Sequence, residues 1–259
     1  INMKDFITTL DGEFWDRQEL IDKANEDKFY YGYLAKACLS SSSVSKLLKS
    51  PREYLLSFEL PTESTALSEG YLFHASILEK DKFDECLFLD VATKNNKEYK
   101  LAKQERWDVF TMKERDNALK LRDRFYNCKE ASEFLVNSNF EVPQINYVNN
   151  YAFRGKADIL GDCLVDLKST ANIHKFKHSA YMYNYDSQAF IYCNLFGKSY
   201  KDYRFVVIDK SPTNELGIYD ISQDFYFRGE QKVEQAIKVY ETFIKNEFDL
   251  NDYLIEDTL

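Results

Sequence analysis

The sequence predicts an α/β fold in which a mixed β-sheet is flanked by helices, within a single domain covering residues 1–259. From residue 139 onward, apolar runs and helical periodicities follow one another in the order strand, strand, strand, helix, strand, strand, helix. Residues 1–138 have a mostly helical pattern. Hydrophobic residues make up 44% of the chain, which is enough for a sizeable core, and the 8 Gly and 4 Pro leave little material for long linkers. Helices covering a sheet are the layered arrangement that this order favours.

The helical part is predicted from amphipathic spacing. Segments 14–29 and 64–83 repeat their apolar residues at helical intervals. Residues 39–58 are predicted as a short helix with serines able to cap it, followed by a second helical piece that starts at Pro51. Residues 94–127 extend this pattern as a long charged helical stretch, with ten Lys or Arg and six Asp or Glu between residues 94 and 124. Its predicted buried side consists of Trp107, Phe110, Leu119, Leu121 and Phe125.

The sheet part, residues 139–259, begins with two strands within 140–160 that are joined at Asn149 and Asn150, a hairpin pattern. A glycine at the end of the next helical pattern is expected to close that helix. The remaining predicted elements are a strand at 162–170, a helix at 174–197, strands at 202–209 and 215–221, and a helix at 228–248.

Charge and cysteine content exclude several classes of protein. The net charge is −9, from 34 Lys and Arg against 43 Asp and Glu, which argues against a general nucleic-acid coating protein but not against a local basic groove. The five cysteines are widely spaced and form no C-x-x-C pair, so we expect reduced thiols, and neither a zinc ribbon nor an iron–sulfur cluster. Without a long apolar run, we expect a cytoplasmic protein that does not enter membranes.

Asp158, Asp166 and Lys168 stand among the apolar residues of the predicted strands "RGKADIL" and "DCLVDLKST". Asp166 and Lys168 are two apart, so in a strand they share one face, while Val165 and Leu167 point to the other. If the two strands form a hairpin, the Asp158 carboxylate converges with that of Asp166. The alternative from the residues alone is an Asp166–Lys168 ion pair on a solvated sheet face.

Converging carboxylates repel each other unless a cation lies between them. Oxygen ligands that leave room for water are what Mg²⁺ prefers, and a lysine on the same face supplies a fixed positive charge. Such a group of residues is suited to the hydrolysis of phosphodiesters.

The pattern "KAD…VDLKST" resembles the PD-(D/E)xK nuclease superfamily. Asp158 matches the first acidic position, and Asp166-Leu167-Lys168 matches the D-x-K. The resemblance implies a restriction-endonuclease-like core, with an α-helical N-terminal part before it.

Three further segments resemble the same superfamily, in its RecB-like and RecE-like or lambda-exonuclease-like branches. Tyr185, Gln188 and Tyr192 match a Y-x-x-Q-x-x-x-Y signature on one helical stripe, where the glutamine and tyrosine lie beside the metal and help to hold substrate. "EGYLFHASILEKDKF" matches a G-x-x-x-H segment, in which Gly70 would let the helix approach the sheet and His74 would ligate metal. "SSSSVSKLLKSPREY" matches the opening segment, in which Ser42 corresponds to a position near a terminal 5′ phosphate. The residues alone also allow His74 as a hydrogen-bonded core histidine and Ser42 as an ordinary helix cap.

The sequence departs from the pattern at one acidic position. Many relatives carry a glutamate on the strand before the first aspartate, and here Glu141 and Gln144 are the candidates. The spacing to Asp158 favours Gln144, in which case one acid of the site is missing.

The resemblance implies a Mg²⁺-dependent exodeoxyribonuclease, with Mn²⁺ as a substitute metal, that digests linear double-stranded DNA from 5′ ends during recombination by single-strand annealing. It implies metal ligation by His74, Asp158, Asp166 and the Leu167 carbonyl, and a Lys168 that positions water. It also implies a homo-oligomeric ring around DNA and an annealing protein as partner. Lys175 and Lys177, in "HKFKH", are predicted to face DNA.

Two alternatives remain open at this point. One is a catalytically inactive module of the superfamily that only binds DNA, which a glutamine in place of the acid would favour. The other is a single-strand or nicking endonuclease with the same chemistry.

Overall fold

The computed structural model describes residues 6–60 and 64–256. The strands are β1 (Phe6–Thr8), β2 (Phe14–Asp16), β3 (Leu87–Leu89), β4 (Val109–Thr111), β5 (Asn139–Val148), β6 (Tyr151–Leu160), β7 (Leu164–Thr170), β8 (Tyr203–Asp209) and β9 (Leu216–Asp220). Within the described residues, the last five of these strands form a mixed central sheet in the order β5-β6-β7-β8-β9. The predicted mixed α/β fold is therefore confirmed.

Helices surround this sheet, and most of them precede it in the chain. In the first part they are α1 (Arg17–Lys23), α2 (Asp27–Tyr31), α3 (Tyr33–Ala37), α4 (Ser41–Leu47), α5 (Pro51–Leu56), α6 (Thr65–Leu78), α7 (Lys80–Glu85), α8 (Lys97–Glu105), α9 (Met112–Tyr126) and α10 (Lys129–Ser132). In the second part they are α11 (Phe176–Met182), α12 (Tyr185–Phe196) and α13 (Gln223–Val239). No helix among the described residues is both long enough and apolar enough to cross a membrane.

Two helices predicted as continuous are interrupted by strands. Residues 14–29 begin with β2, which pairs with β1. The long helix predicted for 94–127 is split by β4, which pairs in parallel with β3. The pairing takes the chain out of the helix between α8 and α9. Trp107 lies at this break and is 63% exposed, so the prediction that it is buried was wrong.

The sheet separates two apolar cores. Successive residues of a strand point to opposite faces, and on β7 Leu164 belongs to one core, while Val165 and Leu167 belong to the other. Helices α6 and α9 cover the face with Val165. Helices α4, α12 and α13 cover the opposite face. The sheet is therefore held on both sides.

Strands β6 and β7 separate soon after the turn that connects them. Their only backbone pairs within the described residues are Ile159–Val165 and Leu160–Leu164. Beyond them, β6 continues along β5, whereas β7 pairs in parallel with β8 over its whole length. The wedge between the two strands exposes ladder groups of β7 that a neighbouring strand would otherwise bind.

The helix predicted for 174–197 is broken near its middle. Asn184 adopts a left-handed conformation with φ 57°, which asparagine tolerates better than most residues. The break redirects the chain, so that α12 begins at Tyr185 with its first turns beside β7. Gly197 ends α12 in the left-handed conformation, as predicted.

A glycine on α13 sets the distance between two covering helices. A Cβ on Gly229 would lie 2.0 Å from the Asp186 carbonyl oxygen, whereas a Cβ on Gly70 of α6 would meet no atom within 4 Å. The close approach to the sheet predicted for Gly70 is therefore wrong, and the tight contact at Gly229 is one between helices α13 and α12. We expect Gly229→Ala to lower the free energy of unfolding by about 3 kcal/mol through overpacking. Gly70→Ala is the matched control and should be neutral or slightly stabilising, and equal unfolding midpoints in urea would contradict this account.

Candidate active site

Asp158 fills the wedge between β6 and β7. Its Oδ2 accepts a hydrogen bond of 2.7 Å from the backbone N–H of Leu167, a donor that no strand pairs on this side. Asp158 is 8% exposed, so a carboxylate is held inside the sheet at the point where the strands part. The charged residue interrupting this apolar strand thus completes the backbone hydrogen bonding of its neighbour.

His74 reaches the same point from α6, on the face with Val165. Its Nε2 lies 2.9 Å from the Leu167 carbonyl oxygen, and its Nδ1 lies 3.4 Å from Asp158 Oδ1. The third member is Glu141 on β5, whose Oε1 lies 4.0 Å from His74 Nδ1. The possible ligand atoms of these three side chains all lie within 4.8 Å of one another.

The donor set of this cluster fits a hard divalent cation. It offers two carboxylates and an imidazole, with the Leu167 carbonyl oxygen beside them, all partly or wholly buried. Carboxylate and carbonyl oxygens suit Mg²⁺ and Mn²⁺, whereas a structural zinc site would favour thiolates and more histidines.

Asp166 and Lys168 share one face of β7, as predicted, and point toward α12. Lys168 Nζ lies 2.6 Å from Asp166 Oδ2. Gln188 bridges them, since its Nε2 donates to Asp166 Oδ1 at 2.6 Å and its Oε1 accepts from Lys168 Nζ at 3.1 Å. The Lys168 ammonium also lies 4.6 Å from the centre of the Tyr185 ring. Asp166 was predicted to bind metal together with Asp158, but its carboxylate is paired with Lys168 and Gln188 in a network beside the His74 cluster and is not one of the three clustered ligand groups found among the described residues.

The charge on Lys168 is secured by this network. Burial lowers the pKa of the Lys168 ammonium, but the nearby Asp166 carboxylate and Tyr185 outweigh burial, and the pKa is raised above its ordinary value. Burial raises the pKa of Asp166 to about 6, against the opposing effect of Lys168. Lys168 is therefore a cation at neutral pH in the metal-free protein.

The cluster in the wedge holds protons near neutral pH. Burial lowers the pKa of His74, but the carboxylates of Asp158 and Glu141 outweigh burial and raise it to about 9. Burial and the neighbouring Asp158 charge raise the pKa of Glu141 to about 8. Burial alone would raise the pKa of Asp158, yet His74 holds it below its ordinary value. A bound cation would therefore displace protons.

These shifts predict how the stability of the metal-free protein depends on pH. The pKa of Glu141 rises on folding from 4.5 to about 8, and that of His74 from 6.5 to about 9. The folded state binds more protons than the unfolded state in that window, so stability falls as pH rises from about 5 to 9. Thermal unfolding in EDTA should show this decline, and Glu141→Gln should flatten it. Added Mg²⁺ should stabilise the protein more at pH 8.5 than at pH 6, and a pH-independent increment would contradict the cluster.

Glu141, rather than Gln144, occupies the position opposite Asp158. The hairpin register places Glu141 between the pairs Phe140–Ile159 and Val142–Ala157, and so across from Asp158. Gln144 pairs with Gly155, and its side chain accepts from the backbone N–H of Ile145. The spacing that favoured Gln144 was misleading, because register decides which side chains face each other. The site keeps its acid.

An open cavity of about 830 Å³ leads to the cluster. Ser42 and Tyr192 line it, as expected of residues near a substrate. Gly155, on β6, leaves room for the Tyr192 ring, because a Cβ atom on residue 155 would lie 2.9 Å from that ring. Lys175 and Lys177 are exposed but do not line this cavity, so their predicted contact with DNA finds no support in the site geometry.

Sequence reasoning missed two cations in the cavity wall. Arg154 and Lys156 precede Asp158 at intervals of two on β6, so they share its face, and both line the cavity. Arg154 is 8% exposed and its guanidinium lies 4.3 Å from the Tyr30 ring. The signal was the alternation of "RGKAD", in which every second residue is charged.

A family match and one solved structure agree with this architecture. Residues 40–250 match the family model described as a PDDEXK-like domain of unknown function (DUF3799). A putative exonuclease from Eubacterium rectale superposes with a TM-score of 0.62 at 14% identity, covering 90% of this chain and 95% of that one. A phage-related exonuclease from Haemophilus somnus 129PT gives a TM-score of 0.36 at 14% identity, covering 82% and 96%. No curated protein matches the chain.

The matched region begins just before α4 and ends past α13, and so contains the sheet, the wedge and every residue of the two networks around it. The chain therefore belongs to the family of PDDEXK-like domains.

Proposed function

We propose that this protein is a metal-dependent exodeoxyribonuclease that hydrolyses linear double-stranded DNA from 5′ ends, with Mg²⁺ as its metal and Mn²⁺ as a substitute. The observation that carries the proposal is the convergence of His74, Glu141 and Asp158 in the wedge, with Lys168 in an adjoining network. A nuclease is the activity that the family fold and this arrangement support together. The restriction to DNA ends comes from the resemblance in sequence.

The residues divide the chemistry between them. A divalent cation held by Glu141, Asp158 and His74 would polarise the scissile phosphate and lower the pKa of a water molecule. Lys168, a cation at neutral pH, would orient that water or stabilise the charge that develops on the phosphate. Gln188 fixes the positions of Asp166 and Lys168 through its two hydrogen bonds. Lys168 would therefore act from a position that its hydrogen bond to Gln188 helps to fix.

The cavity wall supports binding of a DNA strand. Leu39 pairs with Phe153 in a short parallel bridge, which holds the serine segment before α4 against β6. Ser42 therefore lines the cavity together with Arg154 and Lys156. Hydroxyls and cations of this kind bind phosphates. In the proposed function, Ser42 lies near a terminal 5′ phosphate.

The inactive-module alternative loses the observation that favoured it, because Glu141 fills the acidic position. The endonuclease alternative differs from the proposal only in where the strand is cut. An oligomeric ring, an annealing partner and a role in recombination stay predictions from the resemblance.

DNA topology separates these functions. Purified protein with Mg²⁺ should release labelled nucleotides from 5′-labelled linear duplex and leave closed circular duplex intact. The same reaction with EDTA is the control and should show no release. Nicking or linearisation of the circle would replace the exonuclease by an endonuclease, and the absence of hydrolysis on all DNA with Mg²⁺ or Mn²⁺ would revive the inactive module.

A further inference from the structure

The cavity that leads to the metal cluster also contains exposed aromatic rings. Trp107 and Tyr31 both line it, and each is 63% exposed. A large apolar ring in water is unfavourable unless something covers it in use. Their position in the cavity next to a proposed catalytic centre makes these two rings candidates for contact with the substrate.

Both rings are braced from one side. Trp107 packs edge-on against Tyr71, with ring centres 5.1 Å apart. Tyr31 packs edge-on against Tyr30, with ring centres 5.0 Å apart, and Tyr30 is only 5% exposed. The supporting tyrosines limit how far the exposed rings can move. A braced ring with a free face is suited to stacking, because little conformational freedom is lost when a ligand binds.

The rings lie close to the cluster along α6. Leu67, Gly70, Tyr71 and His74 repeat at intervals of three and four, so they form one stripe that lines the cavity. Tyr71, which braces Trp107, is one turn from His74, or about 4.5 Å along the helix axis. Gly70 lacks a side chain on this stripe, and a Cβ there would meet nothing within 4 Å. The stripe therefore has open space in the cavity at Gly70, one turn from His74.

Two cations lie beside one pair of these rings. Lys156 Nζ lies 5.3 Å from the centre of the Tyr31 ring and 4.6 Å from that of Tyr30. Arg154, nearly buried, lies 4.3 Å from the centre of the same Tyr30 ring. Asp27 neutralises part of this charge, because it pairs with Lys156 at 3.0 Å. Aromatic faces and cations together in a groove are typical of binding sites for single-stranded nucleic acid.

We infer that Trp107 and Tyr31 stack on unpaired bases, so that the site takes unpaired terminal nucleotides rather than the interior of a duplex. This inference rests on the proposed function and specifies its substrate. Bases inside a duplex have both faces covered by their neighbours, whereas an unpaired base offers a free face to each ring. The cavity has a volume of about 830 Å³, which is in the range of sites that take small ligands, roughly 300–1,000 Å³, and is enough for the end of a strand.

Tryptophan fluorescence tests the inference without any hydrolysis. The chain has two tryptophans, so Trp15→Phe leaves Trp107 as the single emitter. This variant is titrated in EDTA with a single-stranded oligonucleotide, with an abasic oligonucleotide of the same length, and with closed circular duplex. The abasic strand has the phosphates without the bases, and the circle has bases without ends. We expect quenching by the first ligand and little change with the other two.

Binding affinities give the matched comparison. Trp107→Ala and Tyr31→Ala should each weaken binding of the single-stranded oligonucleotide roughly tenfold or more. Trp107→Phe should restore most of the affinity, and Trp107→Leu should not, because leucine is apolar but cannot stack. Phe248→Ala is the control, since Phe248 is an exposed ring, 58%, that does not line the cavity.

Two results would overturn the inference. One is equal quenching by the abasic strand and by the normal strand. The other is wild-type affinity in Trp107→Ala and Tyr31→Ala. These outcomes do not depend on the nuclease reaction, because no divalent cation is present. Quenching without any hydrolysis in a separate assay with Mg²⁺ would instead refute the proposed function and leave the stacking intact.

Discussion

Asp158→Asn should lower the rate of DNA hydrolysis by more than about 100-fold while the protein remains folded. Substitutions of groups that merely support a metal ligand already cost about 10–100-fold in affinity or activity, and Asp158 is the centre of the cluster. His74 keeps the pKa of Asp158 below its ordinary value, so the substitution removes a full negative charge at neutral pH. Asparagine has nearly the same shape, and its oxygen can still accept from the Leu167 N–H.

The control for this substitution is Asp209→Asn. Asp209 is also a buried carboxylate, 5% exposed, and accepts from the backbone N–H groups of Ile173 and Ser211. It contacts neither the cluster nor the cavity, so this variant should keep wild-type hydrolysis at temperatures where it is folded. Release of 5′ label from linear duplex with Mg²⁺ is the measurement, and circular dichroism verifies folding. Equal rates for Asp158→Asn and wild type would remove Asp158 from the mechanism.

Lys168→Gln should lower the turnover number roughly 100- to 1,000-fold and leave DNA binding nearly unchanged. The loss of one preorganised group that stabilises developing charge has an effect of about this size. Glutamine can still reach Asp166 and Gln188 by hydrogen bonding, so the network keeps its shape without its cation. Because Lys168 stays charged at neutral pH, the alkaline side of the pH–rate profile should keep its form in the variant.

Lys210→Gln is the matched control for Lys168. Lys210 is a partly exposed lysine that pairs with Glu69 at 2.7 Å, outside the cavity. Single-turnover rates with saturating protein separate chemistry from binding. A change in the Lys168→Gln pH profile that removes the alkaline limb would show that Lys168 transfers a proton. An equal loss of single-turnover rate in Lys168→Gln and Lys210→Gln would show that the effect comes from the change in the net charge of the protein and not from the position of Lys168.

The sequence predicted which side chains of the site share a face better than it predicted how the strands assemble around them. Alternation along β7 was sufficient to place Asp166 and Lys168 on one face, and the helical stripe of α12 brought Tyr185 and Gln188 to them. The position of the Asn149–Asn150 turn predicts the residue opposite Asp158 better than the spacing between residues along the chain does. Counting equal numbers of residues away from that turn along both strands places Glu141 opposite Asp158, as the register shows.

Other features depend on contacts that a linear pattern does not contain. The apolar runs predict that β6 and β7 pair with each other. They do not predict that this pairing ends at Ile159, because beyond that residue β6 pairs with β5 alone and β7 pairs with β8. Residues 94–127 contain no proline or glycine, so nothing local predicts the break at Trp107. Pairing of β4 with β3 overrides the helical propensity there. The exposed ring in the cavity follows from that tertiary contact.

The central claim is that the wedge between β6 and β7 binds a divalent cation through His74, Glu141 and Asp158. Titration of the protein with Mn²⁺, followed by the loss of the free-ion electron paramagnetic resonance signal, tests this directly. We predict saturable binding by the wild type and at least about tenfold weaker binding by Glu141→Gln, with Gln144→Ala equal to wild type. Identical binding curves for wild type and Glu141→Gln, or no binding by the wild type, would contradict the claim.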